Sequence, residues 1–284
     1  MNNIFKELPI VFPFYENHKQ KDINKENVES ICAFKLISPK NALLPFQIEI
    51  PTNKPKPISW KIIGIGGSEI DISNNLNKIK IYVFEEKKQA VYFGEELNFV
   101  YGSRNEPLNL QNGFYYTVFN FSDGTYYVSE IFFAAGFNVG ENTEFMQVDF
   151  WQEKDVEPLI FRNGWKQTIY LSTFVHSAIP EVEEETEKDG FSSEIPTFQR
   201  MVLKYKFVEL VPDFVKIALV SLQMQDNVYI SLSDKRSGKI DRISVESQPD
   251  ETIGLNNVEV IFEDDVLIKT ACGENKQEIS QATW

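Results

Sequence analysis

Histidine and cysteine are nearly absent from this chain, two of each in 284 residues, and each scarcity removes a class of chemistry. Two cysteines as far apart as Cys32 and Cys272 are not a disulfide framework, so stability has to come from packed apolar cores. Both sit in strand-like contexts and read as small buried hydrophobes, with a bond between them left open. His18 and His176 stand alone, with no Cys or His at metal-ligand spacing beside either, so no zinc site assembles locally. No G-x-S-x-G elbow is present, and a Ser-His-Asp arrangement would have to recruit His176 from a distance. Long apolar runs are missing too: none approaches the ~20 residues that span a bilayer. The opening MNNIFKELPIVFPFYENHKQ has only a short apolar patch, broken by Pro9 and Pro13, and is not expected to act as a secretion signal. Positive charge is scarce, 28 basic against 42 acidic residues for a net charge of −14. That balance repels phosphate backbones and anionic membrane surfaces, so neither nucleic acid nor a membrane is an expected partner.

What the chain does have is aromatic side chains, 13% of residues including 23 Phe. Aromatics pack well on pleated sheets and enlarge subunit contacts, and both uses fit. Residues 1–26 read as an extended N-terminal arm: a cluster of Ile10, Val11, Phe12, Phe14 and Tyr15, then the polar HKQKDINKEN. Such a cluster is costly in water, so it is expected to lie on a neighbouring subunit or on its own sheet. From residue 28 to 133, short apolar runs alternate with turn signals, as in an all-β domain with Trp60 in its core. Ser122-Asp123-Gly124 between two apolar runs predicts a hairpin. Ala134-Ala135-Gly136 reads as a hinge. Strands are expected again over 145–151, 159–161 and 167–174, with Asn163-Gly164 as a turn. EVEEETEKD, six carboxylates and one lysine before Gly190, reads as an exposed loop over 181–190. Residues 191–230 then predict a strand, a short helix over 212–222 opened by Pro212, and a second strand. Glu263-Asp264-Asp265 reads as the turn of a closing hairpin.

Three segments touch on chemistry, and each has a plainer role. Gly64 to Gly67, GIGG, follows an apolar run, but the next residues lack the period of a phosphate-holding helix, so an ordinary turn is expected. The carboxylates Glu181, Glu183, Glu184, Glu185, Glu187 and Asp189 are hard ligands, yet lack the D-x-D-x-D-G spacing that fixes calcium. Exposed aromatics, Trp151 and Trp165 above all, would suit sugar stacking, although tryptophan is more often core. No catalytic, cofactor-binding or metal residue can be named.

Several segments resemble a family of virion proteins, tail or baseplate associated, encoded by tailed bacteriophages and prophages of the Bacteroidota. The matching stretches are NALLPFQI over 41–48 and GFYYTVFNFSDGTYYVSEIFF over 113–133. In the second half they are 169–174, Asp189-Gly190 with 196–205, the helix over 212–222, and 258–272. The arm and EVEEETEKD lie outside the pattern. The resemblance implies a non-enzymatic structural subunit of a virion that meets copies of itself and other tail proteins. The expected architecture is all-β with one short helix, in two antiparallel β-sandwich domains. An immunoglobulin- or fibronectin-like sandwich would span 27–135, and a jelly-roll-like one 136–284. The alternative expectation is a surface module that binds host glycans. Interaction candidates are Phe12, Phe14, Tyr15, Trp151 and Trp165.

Overall fold

The computed structural model describes residues 10–16, 34–53, 56–84, 89–94, 99–102, 104–142, 144–153, 165–173, 175–176, 179–188, 194–232, 235–236, 239–240, 242–250 and 255–270. Among these the protein is all-β: strands in several sheets, one α-helix and two 3-10 turns. Cys32, Cys272, His18, the Asn163-Gly164 turn and residues 1–9, 17–33 and 189–190 lie outside the described residues.

The largest sheet is built on β10 (Gly113–Phe121). Its neighbours along the main path are β11 (Tyr126–Ser129) with β1 (Phe14–Glu16) beyond it, and β12 (Phe132–Ala135) with β2 (Ile37–Pro39) beyond that. β4 (Pro57–Gly64) also pairs with β10, and β5 (Glu69–Asp71) with β4. The β10–β11 hairpin turns at Ser122-Asp123-Gly124 as the sequence predicts, with Gly124 at φ +83° and the Phe121 amide donating to Thr125 O. A three-stranded sheet, β3 (Phe46–Pro51), β7 (Gln89–Gly94) and β6 (Lys80–Phe84), packs its Phe46 side chain against the large sheet. Between them lies an aromatic cluster: Trp60 stacks on its cross-strand partner Phe119 at 4.6 Å, meets Phe99 edge-on at 5.0 Å, and meets Phe46 edge-on at 5.6 Å. A two-stranded ladder, β8 (Val100–Tyr101) with β9 (Glu106–Pro107), completes this half. The large sheet is apolar on its second face as well, where Tyr116, Val118, Val128 and Ile131 form a smaller cluster.

The second half has two four-stranded sheets. One is ordered β14 (Gln167–Leu171), β13 (Met146–Trp151), β17 (Asn227–Leu232), β18 (Lys235–Arg236). The other is ordered β15 (Ile179–Lys188), β16 (Glu194–Val211), β20 (Leu255–Thr270), β19 (Arg242–Asp250). Between β16 and β17 the chain forms α1 (Asp213–Val220), tightening into a 3-10 turn over Ser221–Met224. Pro212 precedes the helix and Asp213 complements its positive end, which is why it starts there. Its buried Val215, Ala218 and Leu219 pack toward Val258, Val260 and Phe262, the inward alternation of β20.

Of the two placements expected for the arm's apolar cluster, the structure shows its own sheet: Ile10, Val11 and Phe12 are buried, and β1 pairs with β11 at one end of the large sheet. Three other expectations differ from the structure. Ala134 and Ala135 are buried strand residues in parallel register with Ser38 and Pro39, not a hinge. Residues 181–188, expected as an exposed loop, form most of β15: cross-strand pairing offsets the poor strand propensity of glutamate, with Lys204 answering Glu181 at 2.5 Å. Glu263-Asp264-Asp265 makes no hairpin; the chain runs straight through it as β20, with a register shift opposite Met201/Val202 that leaves Val266 as an extra residue.

One hydrophobic cluster runs through both halves, from Val11 and Trp60 to Phe207 and Phe262. Polar clips cross at the same place. The Val11 amide donates to Gln167 Oε1 at 3.0 Å, and the Trp165 indole donates to Gly94 O at 3.2 Å. Gly94 has to be glycine here, since a Cβ would fall onto the Phe46 ring.

Candidate interaction surfaces

Of the residues singled out by sequence, Phe12 is fully buried, edge-on to Phe132 at 5.6 Å. Phe14 is half-buried against Phe46 at 5.1 Å, and the Tyr15 hydroxyl donates to Glu130 Oε2 at 3.2 Å. These three side chains hold the first strand to its own fold. Trp165 is 3% exposed and has no open face for a sugar. Trp151 is half-buried and lies flat on Tyr229, ring centroids 5.3 Å apart and planes 13° from parallel.

That aromatic pair shares a sheet face with a polar network that the sequence reading missed. Alternation along β13 sends Val148 and Phe150 inward and Gln147, Asp149 and Trp151 to the other face. Asp149 is 4% exposed. Its Oδ1 accepts from Gln147 Nε2 at 3.0 Å and Thr168 Oγ1 at 2.7 Å, and Lys166 Nζ lies 2.9 Å from Oδ2. A carboxylate so fully answered is a structural clip, not a free base. The available signal was Asp149 itself, a charge inside MQVDFW, where burial demands partners.

Among the described residues no group of three or more His, Cys, Asp or Glu is placed to hold a metal ion. His176 is exposed, and its main-chain amide donates to Lys206 O. Strand alternation sends Glu181 and Glu184 to opposite faces of β15; Glu181 meets Lys204 and Glu184 accepts from Gln199 Nε2 at 3.0 Å. The hydrogen bond to Glu181 holds the Lys204 ammonium above its ordinary pKa. Gly64 to Gly67 make the turn from β4 to β5, with Gly67 at φ +86° and its amide donating to Gly64 O. The helical turn that follows is 3-10, over Ser73–Lys78. Glu209 lies on the inward row of β16, between Phe207 and Val211, and burial lifts its carboxyl above the ordinary range against the opposing hydrogen bond from Thr173.

The surface shows exposed aliphatics at two sheet edges. On β6, Ile81 is 40% and Val83 58% exposed, close to a recess of about 360 Å³ lined by Lys56, Pro57, Leu76, Asn77, Ile79 and Ile81. Ile58, next to Pro57 at a register shift in β4, is 62% exposed. On β15, Ile179 and Val182 are each 65% exposed. No helix among the described residues is long and apolar enough to cross a membrane. No protein-family model matches the chain, and neither does any curated protein or solved structure.

Proposed function

We propose that this protein is a non-enzymatic structural subunit of a bacteriophage virion, in its tail or baseplate, which assembles with copies of itself and docks on other virion proteins. The observation that carries the reading is the pair of strands β6 and β15, which end their sheets among the described residues and carry exposed aliphatics. An exposed edge with large apolar side chains is a template for another strand, and natural sheets blunt such edges unless a partner covers them. In the same reading the first half is an immunoglobulin-like sandwich and the second a jelly-roll-like one. The described side chains near the recess are apolar or lysine and asparagine, a surface suited to contact.

Sedimentation velocity over a broad concentration series tests self-assembly: a species larger than the 32.8 kDa chain is expected. A monomer throughout, with no recruitment by neighbouring tail proteins, would refute it. The coding locus tests the virion assignment, with terminase, portal or tape-measure genes expected beside it and a metabolic operon counting against it. A second reading, glycan binding, is favoured by the half-buried Trp151–Tyr229 stack alone. Binding on a glycan array that Trp151→Ala abolishes would establish it.

A further inference from the structure

We infer that the subunits join head to tail, with strand β15 of one copy pairing along strand β6 of a second copy. The inference rests on the self-assembling reading and names the surfaces that carry it.

Both strands end their sheets among the described residues, in the orders β15-β16-β20-β19 and β3-β7-β6. Because side chains alternate, β6 sends Ile81 and Val83 to one face and Lys80 to the other. β15 sends Pro180, Val182 and Glu184 to one face and Ile179, Glu181 and Glu183 to the other. When Val182 is set beside Ile81 and Val83, Glu181 and Glu183 fall on the face of Lys80 without further adjustment. The apolar row buries Ile81, Val83 and Val182, which the single chain leaves 40 to 65% exposed, and the polar row brings the acidic face of β15, where Glu181 keeps its own Lys204, to the side of Lys80. Lys56 and Lys78, both exposed, add positive charge around the recess by β6.

The same charges explain why the second copy is met head to tail. Two β15 strands side by side would set glutamate rows against each other, five glutamates from each copy over 181–187, and like charges directly opposite are destabilising. β15 therefore selects a basic edge. The other basic end strand, β18, is two residues long, whereas β6 has five. A contact between two different surfaces leaves one unused β15 and one unused β6 at its ends, so it closes into a ring or extends as a filament.

The test uses two single substitutions at exposed positions in the full chain, Val83→Glu on β6 and Val182→Glu on β15, each adding a charge that repels or is buried at the contact, with circular dichroism melts confirming the fold. In sedimentation velocity the parent is expected to assemble and each variant to stay monomeric. An equimolar mixture is expected to give a one-to-one dimer, because one copy keeps β6 and the other β15. Assembly of both variants like the parent, or a mixture that stays monomeric, overturns the pairing while leaving self-assembly standing. A parent that is monomeric at every concentration overturns both. Hydrogen exchange on the parent needs no variant: amides over 80–84 and 179–188 are expected to gain protection with concentration, and unchanged exchange there in the assembled protein overturns the pairing.

Discussion

Replacing Thr117 with valine removes the hydroxyl that accepts the indole hydrogen bond of Trp60 and donates a second to the main chain. The Trp60 indole donates to Thr117 Oγ1 at 2.6 Å, and that hydroxyl donates in turn to Lys61 O at 2.8 Å. Trp60 is 1% exposed and Thr117 0%, so water cannot replace the lost acceptor. Valine keeps the shape, hence no cavity opens, and the cost is that of an orphaned buried N–H, about 1–3 kcal/mol. For a chain of this size that corresponds to roughly 2–4 °C of Tm per kcal/mol. Urea and thermal unfolding followed by tryptophan fluorescence and far-UV circular dichroism would measure it. Trp60→Phe completes a double-mutant cycle: with both polar partners gone, Thr117→Val should cost much less than it does beside Trp60. The reasoning fails if Thr117→Val lies within about 0.3 kcal/mol of the parent, since changes without an interaction add to that precision.

Phe12→Ala removes a fully buried ring and should cost about 3–5 kcal/mol in urea unfolding, whereas a ring that merely rested on a neighbour would cost the isolated chain little. Glu209→Gln should flatten the pH dependence of stability. Burial raises the folded carboxyl's pKa, so between the ordinary and raised values the folded protein holds a proton that the unfolded chain has lost, and stability falls as pH rises through that window. The glutamine variant should therefore melt higher than the parent near neutral pH, with the gap closing below the ordinary glutamate range; a constant difference from about pH 4 to pH 8 would show that ionisation is not the cause.

The run from β16 through α1 to β17 was legible because its signals are local. Tyr205 and Phe207 alternate inward, Pro212 opens the helix, and Ala218 and Leu222 share a helical face. The Asp123-Gly124 turn was legible for the same reason, a backbone demand met by glycine. Glu263-Asp264-Asp265 and EVEEETEKD misled because clustered acids are common in turns, and their strand partners lie elsewhere in the chain. Glu263 and Glu181 both face Lys204, a residue that nothing in either segment announces. The continuity of the core was hidden for a related reason: Trp165 with Gly94, and Val11 with Gln167, are meetings set by the assembled sheets. At the candidate surfaces, residues 79–84 were readable as a strand, but its place at the end of a sheet depends on what pairs beside it.

The bond between Val11 and Gln167 spans 156 positions. A ribosome adding about 5–20 residues per second makes the second partner roughly 8–30 s after the first. Throughout that interval the Val11 amide is already synthesised and without its acceptor, and for most of it Phe12 is without Phe132 and the first strand without β11. The nascent chain is thus most exposed to wrong association early in its own translation, and a chaperone that shields its leading segment should raise the yield of folded protein more than one acting after release.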